Sequence, residues 1–354
     1  MDFNIKMLDM AKRIYNNELL EKKDEHGKVV LSDTEAIKAL VDKTFSSNGV
    51  ITNFEQLRIF NRLIVETAEE LAQGRVEPII SMVSDYKKVG RYDKVIYEVP
   101  KKAKITMALT ASGAGVDFVR ISPSARKLPA KPETYQFGVY YNIEKMISDP
   151  VNEFRNAVNY VADYKVKFIF NKIMSLVKAA VANGSIPTGQ VEEDANVTIT
   201  DYRKIENKLL RYGKGVAPIF VADRNLIDSL ATSQATMNLG VSGGEGILLT
   251  DDLRKELLRS AEITQISRST AIATDNPFID NANSEVEFPV NEGIVIAGGS
   301  KSPIAVREFG GVRVNEGIPS IEDERVNMKI DFRLDATLLL GQALGWVKDT
   351  AVLI

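Results

Sequence analysis

Between Pro150 and Asn183 the sequence carries one unbroken helical pattern, and that pattern sets the scale of the fold. Phe154, Val158, Val161, Ile169, Ile173, Leu176 and Ala180 recur at three- and four-residue spacing. Ser148-Asp149-Pro150 supplies a cap and a first-turn proline, and Asn183-Gly184 followed by Pro187 stops the run. At about 1.5 Å per residue, roughly 33 residues span about 50 Å. That is far beyond the mean globular helix and predicts a spine crossing the whole subunit.

The elements around this spine are well punctuated. Residues 1–85 read as helical. Ser32-Asp33-Thr34-Glu35 and Thr52-Asn53-Phe54-Glu55 both match the capping-box pattern, in which a side chain and a Glu satisfy each other's orphan amides. The second opens an amphipathic helix with Leu57, Phe60, Ile64, Ala68 and Leu71 on one face and Gly74 as its expected end. From Tyr92 to Tyr141 the period becomes strand-like, through Val95, Tyr97 and Val99, then Ile105, Met107 and Leu109, then Val116, Phe118 and Ile121. A strand over Thr134 to Asn142 leads to the spine. Beyond it helix and strand alternate: a helix over Asp201 to Tyr212 closed by Gly213, a short strand from Pro218 to Val221, and a helix from Asp223 to Leu230. A Gly-rich turn at Val241 to Gly246 then precedes a helix from Thr250 to about Ile263. Strands dominate from Ser284 onward, ending in Arg325 to Leu334 with Val326, Met328, Ile330 and Phe332 on one face. The pattern is that of an α+β protein.

Charge narrows the function classes. A chain of 354 residues with 45 basic and 48 acidic side chains has a net charge of -3, which gives no overall reason to bind nucleic acid or anionic membrane. The distribution is uneven. Residues 87–131 hold eleven Lys or Arg (among them Lys101, Lys102, Lys104, Arg120, Arg126 and Lys127) against Asp93, Glu98 and Asp117, an excess of eight. Such a run is either a solvated hairpin whose lysines discourage edge pairing or a projecting arm that lies on the acidic body of a neighbouring copy. On the second reading those six residues form a subunit interface. The absence of cysteine excludes disulfides, thiolate metal sites and cysteine nucleophiles, and the single His26 excludes a multi-histidine metal site. Residues 1–21 are amphipathic and charged, unlike a signal peptide, and no apolar run reaches the ~18 residues of a transmembrane helix. A cytoplasmic protein is expected.

Candidate chemistry fails on mechanics. Gly293 to Ser302 approaches a phosphate-binding loop, but Gly299 stands where the lysine must be, which favours an ordinary strand-turn-strand. Gly240 to Gly246 lacks the order and the following acid of a dinucleotide loop. His26 sits in a charged turn between helices with no nucleophile placed beside it. The acidic runs Glu192-Glu193-Asp194 and Glu322-Asp323-Glu324 read as loops that are solvated or face a basic partner, and Asn196-Val197-Thr198 has no meaning as a glycosylation site without secretion. Tyr92, Tyr97 and Phe118 are too sparse for a single-strand-binding platform. No catalytic residue, cofactor or metal is indicated.

The order of elements resembles tailed-bacteriophage major capsid proteins, whose fold is shared with encapsulins. The local likenesses are Tyr135-Gln136-Phe137-Gly138-Val139-Tyr140-Tyr141-Asn142-Ile143-Glu144 running into the spine, Pro218-Ile219-Phe220-Val221-Ala222-Asp223 followed by Leu226 and Leu230, and the strand Val326 to Leu334. The resemblance implies a helical N-terminal arm over 1–85, an extended basic β-hairpin loop over 86–141, and the spine helix with a peripheral domain over 142–200. It further implies an axial domain over 201–285 and a strand-rich return over 286–354. It implies a structural, non-enzymatic subunit that assembles with itself as hexamers and pentamers into an icosahedral shell. The shell would enclose double-stranded DNA without sequence-specific binding, with portal and scaffolding proteins as partners, no membrane, assembly in a bacterial cytoplasm and the virion as destination. An encapsulin-like nanocompartment shell and a cytoplasmic α/β enzyme are the alternatives. A cargo-peptide pocket would mark the first and a pocket with convergent polar groups the second.

Overall fold

The computed structural model describes residues 2–23, 29–46, 48–100, 125–235, 263–274, 276–299, 301–316 and 325–354. The chain opens with α1 (Asp2–Asn16), a hairpin of β1 (Glu21–Lys23) and β2 (Val29–Ser32), then α2 (Asp33–Thr44). Ser32 caps α2 as the sequence predicts, its Oγ accepting from the Glu35 amide at 3.5 Å. The next helix, α3 (Phe54–Val83), begins one residue later than the motif suggests: Asn53 Oδ1, not Thr52, accepts from the amides of Glu55 and Gln56 at 3.0 and 3.2 Å.

Nor does α3 stop at Gly74. It runs for 30 residues because Ile80 and Val83, beyond the glycine, are buried in the same core cluster as Ile169 and Ile173. A helical glycine costs about 1 kcal/mol relative to alanine, whereas burying each aliphatic side chain contributes about 1.5–3 kcal/mol.

Next come β3 (Asp85–Val89), β4 (Ile96–Pro100), β5 (Ala125–Pro129) and β6 (Glu133–Asn142). A short α4 (Ile143–Ser148) then leads to α5 (Pro150–Ala182), the spine, 33 residues long. Its signals all operate: Asp149 Oδ1 accepts from the Asn152 amide at 3.4 Å, Pro150 occupies the first turn, and Gly184 beyond the end takes a φ of +71°. The remaining elements are β7 (Val191–Asp194), α6 (Ile199–Tyr212), β8 (Ile219–Asp223), α7 (Arg224–Ala235), β9 (Gln265–Ile266), β10 (Ser269–Thr274), β11 (Glu292–Ile296), β12 (Ile304–Phe309), β13 (Arg313–Glu316), β14 (Arg325–Leu338) and β15 (Leu344–Asp349).

Two larger sheets organise the molecule. In the five-stranded sheet β14 is central: β6 runs antiparallel along one side from Arg325↔Asn142 to Leu334↔Glu133, β13 and then β12 occupy the other side, and β3 closes the sheet parallel to β12. Val326, Met328, Ile330, Phe332 and Leu334 are all buried, the period-two face read from the sequence. Helices α1 to α3 share one core with α4, the first half of α5 and β14. The second sheet has the order β7-β15-β11-β8-β10-β9, with α6 and α7 on a core of Tyr202, Leu209, Phe220, Leu226 and Leu230. The acids Glu192, Glu193 and Asp194 are not in a loop. They form the edge strand β7, where Glu193 Oε1 accepts from Trp346 Nε1 at 3.1 Å. His26, the Gly240–Gly246 turn, Glu322, Asp323 and Glu324 lie outside the described residues, as does the helix expected from Thr250 up to residue 262.

Candidate assembly surfaces

Strands β4 and β5 form a separate two-stranded ribbon, with Ile96 opposite Pro129 and Pro100 opposite Ala125. Its base is clamped to the five-stranded sheet. The buried Tyr97 donates from Oη to Asp335 Oδ2 at 2.5 Å, while the Lys131 amide and Thr337 Oγ1 donate to the same carboxylate at 3.2 and 3.0 Å. Arg307 lies 5.7 Å from the Tyr97 ring centre. Burial, then the Asp335 carboxylate, push the Tyr97 phenol well above its ordinary pKa, so it stays a hydrogen-bond donor.

Of the six basic residues singled out by sequence, Arg126 and Lys127 lie side by side and exposed on β5, Lys127 directly opposite Glu98. Lys101, Lys102, Lys104 and Arg120 lie outside the described residues. At the near end of the basic segment the charge is met within the chain: Lys88 pairs with Glu69, Arg91 with Asp331 at 3.0 Å, and Lys87 with Asp85 at 3.6 Å. Glu69, Asp331 and Asp335 were invisible as partners because most of the contacts join residues more than 200 positions apart.

The second surface is the outer side of β6. Tyr135, Phe137, Val139 and Tyr141 share the inner face: Phe137 and Tyr164 of α5 have ring centres 4.4 Å apart, Tyr135 and Phe168 of α5 4.7 Å apart, and Tyr141 packs on Phe60 of α3 and donates to Asn61 Oδ1 at 2.8 Å. Thr134, Gln136, Gly138 and Tyr140 point the other way and are exposed. Arg325 stacks over Tyr140 at 4.6 Å, and Tyr160 and Tyr164 on α5 are also exposed.

Two buried carboxylates elsewhere tie loops to the fold. Glu206 accepts from Ser267 Oγ, the Arg268 amide and Ser269 Oγ, each at 2.8 Å, tying α6 to the turn between β9 and β10. Asp349 accepts from the amides of Asn196, Val197 and Ala351 at 2.9, 3.0 and 2.9 Å. In the segment that mimics a phosphate loop, Gly298 packs backbone on backbone: a Cβ there would lie 2.1 Å from the Ala217 carbonyl oxygen, and one on the facing Gly213 would lie 2.3 Å from that of Gly298.

A protein-family model described as "SPbeta prophage-derived putative capsid protein YonB" matches residues 6–348. The chain belongs to the YonB capsid protein family. Consistent with that membership, the "SPbeta prophage-derived uncharacterized protein YonB" of Bacillus subtilis (strain 168) is 35% identical over 349 residues, covering 98% of this chain and 97% of the relative. This YonB family member is also similar to three assembled particles. The mature capsid of bacteriophage PhiM1 matches at 11% identity, 76% and 86% coverage of this chain and that one, and a TM-score of 0.47. The satellite phage P4 procapsid matches at 9%, 80% and 90%, and 0.49, and the virus-like particle of Pyrococcus furiosus at 9%, 80% and 96%, and 0.45. These TM-scores lie below 0.5, and membership in the YonB family stands on the sequence relation alone.

Proposed function

We propose that this YonB family member is a major capsid protein of the tailed-phage type, a non-enzymatic subunit that assembles with its own copies as hexamers and pentamers into a closed shell around double-stranded DNA. The observation that carries the reading is the arrangement around α5. A spine of 33 residues lies under a sheet whose central strand, β14, returns from residues 325–338, while α6, α7 and the six-stranded sheet form a second body. In this reading the five-stranded sheet with α5 is the peripheral domain, the six-stranded sheet the axial domain, and the β4–β5 ribbon the base of the extended loop. Arg126 and Lys127, with Lys101, Lys102, Lys104 and Arg120 further along the segment, meet acidic surface on a neighbouring copy. Charge complementarity of this kind sets register without exposing large apolar patches. Portal and scaffolding proteins, assembly in the bacterial cytoplasm and residence in the virion belong to the same proposal.

Electron microscopy of the purified full chain tests it, closed particles or ring-shaped capsomers being the expected result. Sedimentation as monomer or dimer under all conditions of salt, crowding and added scaffold would overturn it. Lys101→Glu, Lys102→Glu and Lys104→Glu together should block or misdirect assembly while the subunit still folds. Because screening limits such contacts to about 8 Å at physiological ionic strength, early wild-type assembly should also weaken with salt.

A further inference from the structure

We infer that the outer edge of β6 is a docking edge, which receives an extended strand from a second copy of this chain when the shell forms. This rests on the capsid reading above and adds a specific subunit contact to it. Strand β6 is ten residues long and, among the described residues, pairs only with β14. Its one charged residue is the first, Glu133, which pairs with Lys172 on α5 at 3.1 Å; the nine residues from Thr134 to Asn142 carry no charge, and the strand has no proline. A strand edge with nine consecutive uncharged residues is a template for another chain, and soluble proteins guard such edges with charge, proline, bulges or brevity.

Three other open edges among the described residues follow that rule. β3 carries Lys87 and Lys88 in five residues, β7 carries Glu192, Glu193 and Asp194 in four, and β13 is four residues long with Arg313 and Glu316. An edge left open beside guarded ones is one where pairing is used. Its borders fit the same reading: Tyr140, Tyr160 and Tyr164 are 61%, 66% and 42% exposed, and they flank the strand on the sheet face and on α5.

The size of the contact identifies the partner. A single added strand with three tyrosines buries well under the ~800 Å² per partner of a stable complex. It would therefore be weak between two free molecules and populated only where partners are held at high local concentration. In a shell of identical subunits, the molecule held there is a second copy.

Hydrogen exchange read by mass spectrometry on the full-length protein, as dispersed subunits and as assembled particles, tests the inference. In free subunits the amides of residues 133–142 that face away from β14 should exchange fast; in particles they should slow by at least about tenfold, as paired strand amides do. Because the chain has no cysteine, Gln136→Cys adds a second readout: thiol labelling should be rapid in free subunits and suppressed in particles. Gln136→Lys with Tyr140→Lys places charge on the edge and should lower particle yield by about tenfold or more while leaving the thermal transition of the subunit in place. Particles whose 133–142 amides exchange as in the free subunit would overturn this inference alone, as would protection that appears only after a different phage protein is added. Failure of the wild-type chain to form any particle would overturn the capsid reading and this inference with it.

Discussion

Lys165 Nζ lies 2.8 Å from Glu308 Oε1, with both side chains almost completely buried, so an ion pair joins the spine α5 to β12 across 143 residues of sequence. The Tyr86 hydroxyl from β3 completes the site by donating to the other Glu308 oxygen. Removing one partner leaves an uncompensated charge in the core, which costs about 3–5 kcal/mol, whereas replacing both by apolar groups of similar size is often near neutral. Lys165→Met should therefore shift the urea unfolding midpoint sharply downward, and Lys165→Met with Glu308→Leu should recover most of that loss. Equal loss in single and double variants would show that packing and not charge governs the site.

Asp33 carries a pH dependence of definite sign. Its carboxylate accepts from Arg13 Nε and Nη2 at 2.9 and 2.8 Å and from the Leu20 amide at 3.0 Å. The Arg13 hydrogen bonds outweigh burial and hold its pKa below the ordinary value. A depressed folded-state pKa means that this contribution is complete above the unfolded value of about 3.9 and is lost as pH falls through the folded one. Stability of the α1–α2 region should decline with acidification below about pH 4. Asp33→Asn should be less stable near neutrality and lack that part of the decline, as amide exchange over residues 7–44 at a series of pH values would reveal.

Tyr97 and Asp335 decide how firmly the ribbon is held. Tyr97→Phe removes one of three donors to a buried carboxylate, at a cost of about 1–3 kcal/mol. The expected outcome is faster proteolysis near residues 91–100 with the remainder of the subunit unchanged, and particles that assemble with lower fidelity.

Gly298 distinguishes packing from ligand binding. Alanine there would force its Cβ against the Ala217 carbonyl, an overpacking worth about 1–3 kcal/mol. Gly298→Ala should lower the thermal midpoint, and neither it nor the wild type should bind a nucleotide in calorimetry.

Elements governed by local rules were legible in the sequence. The cap at Asp149, the stop at Asn183-Gly184 and the alternation from Val326 to Phe332 depend on neighbours within a few positions, and each is present. The reading failed where burial from afar overruled a local signal, as when α3 passes through Gly74. Strand β12 was covered only by the general expectation of strands beyond Ser284, with no bounds of its own, for a related reason: all six of its residues are buried, Arg307 and Glu308 among them, so it has no polar face to alternate with. The candidate surface was half visible. An excess of lysines can be counted along the chain, but that Lys88 and Arg91 are already satisfied by Glu69 and Asp331 follows only from the fold. The open edge of β6 likewise needs the strand order, which no spacing encodes.

The position of β14 also dictates when this subunit can exist at all. Strands β6, β12 and β13 all wait for residues 325–338 to pair with them, and β3 waits for β12. Until that stretch has cleared the ribosome, α5 has no sheet to lie against, and sequence-distant pairings of this kind close slowly. Under the capsid reading, a chain joins its neighbours only after residues 325–338 have emerged and paired with β6, β12 and β13.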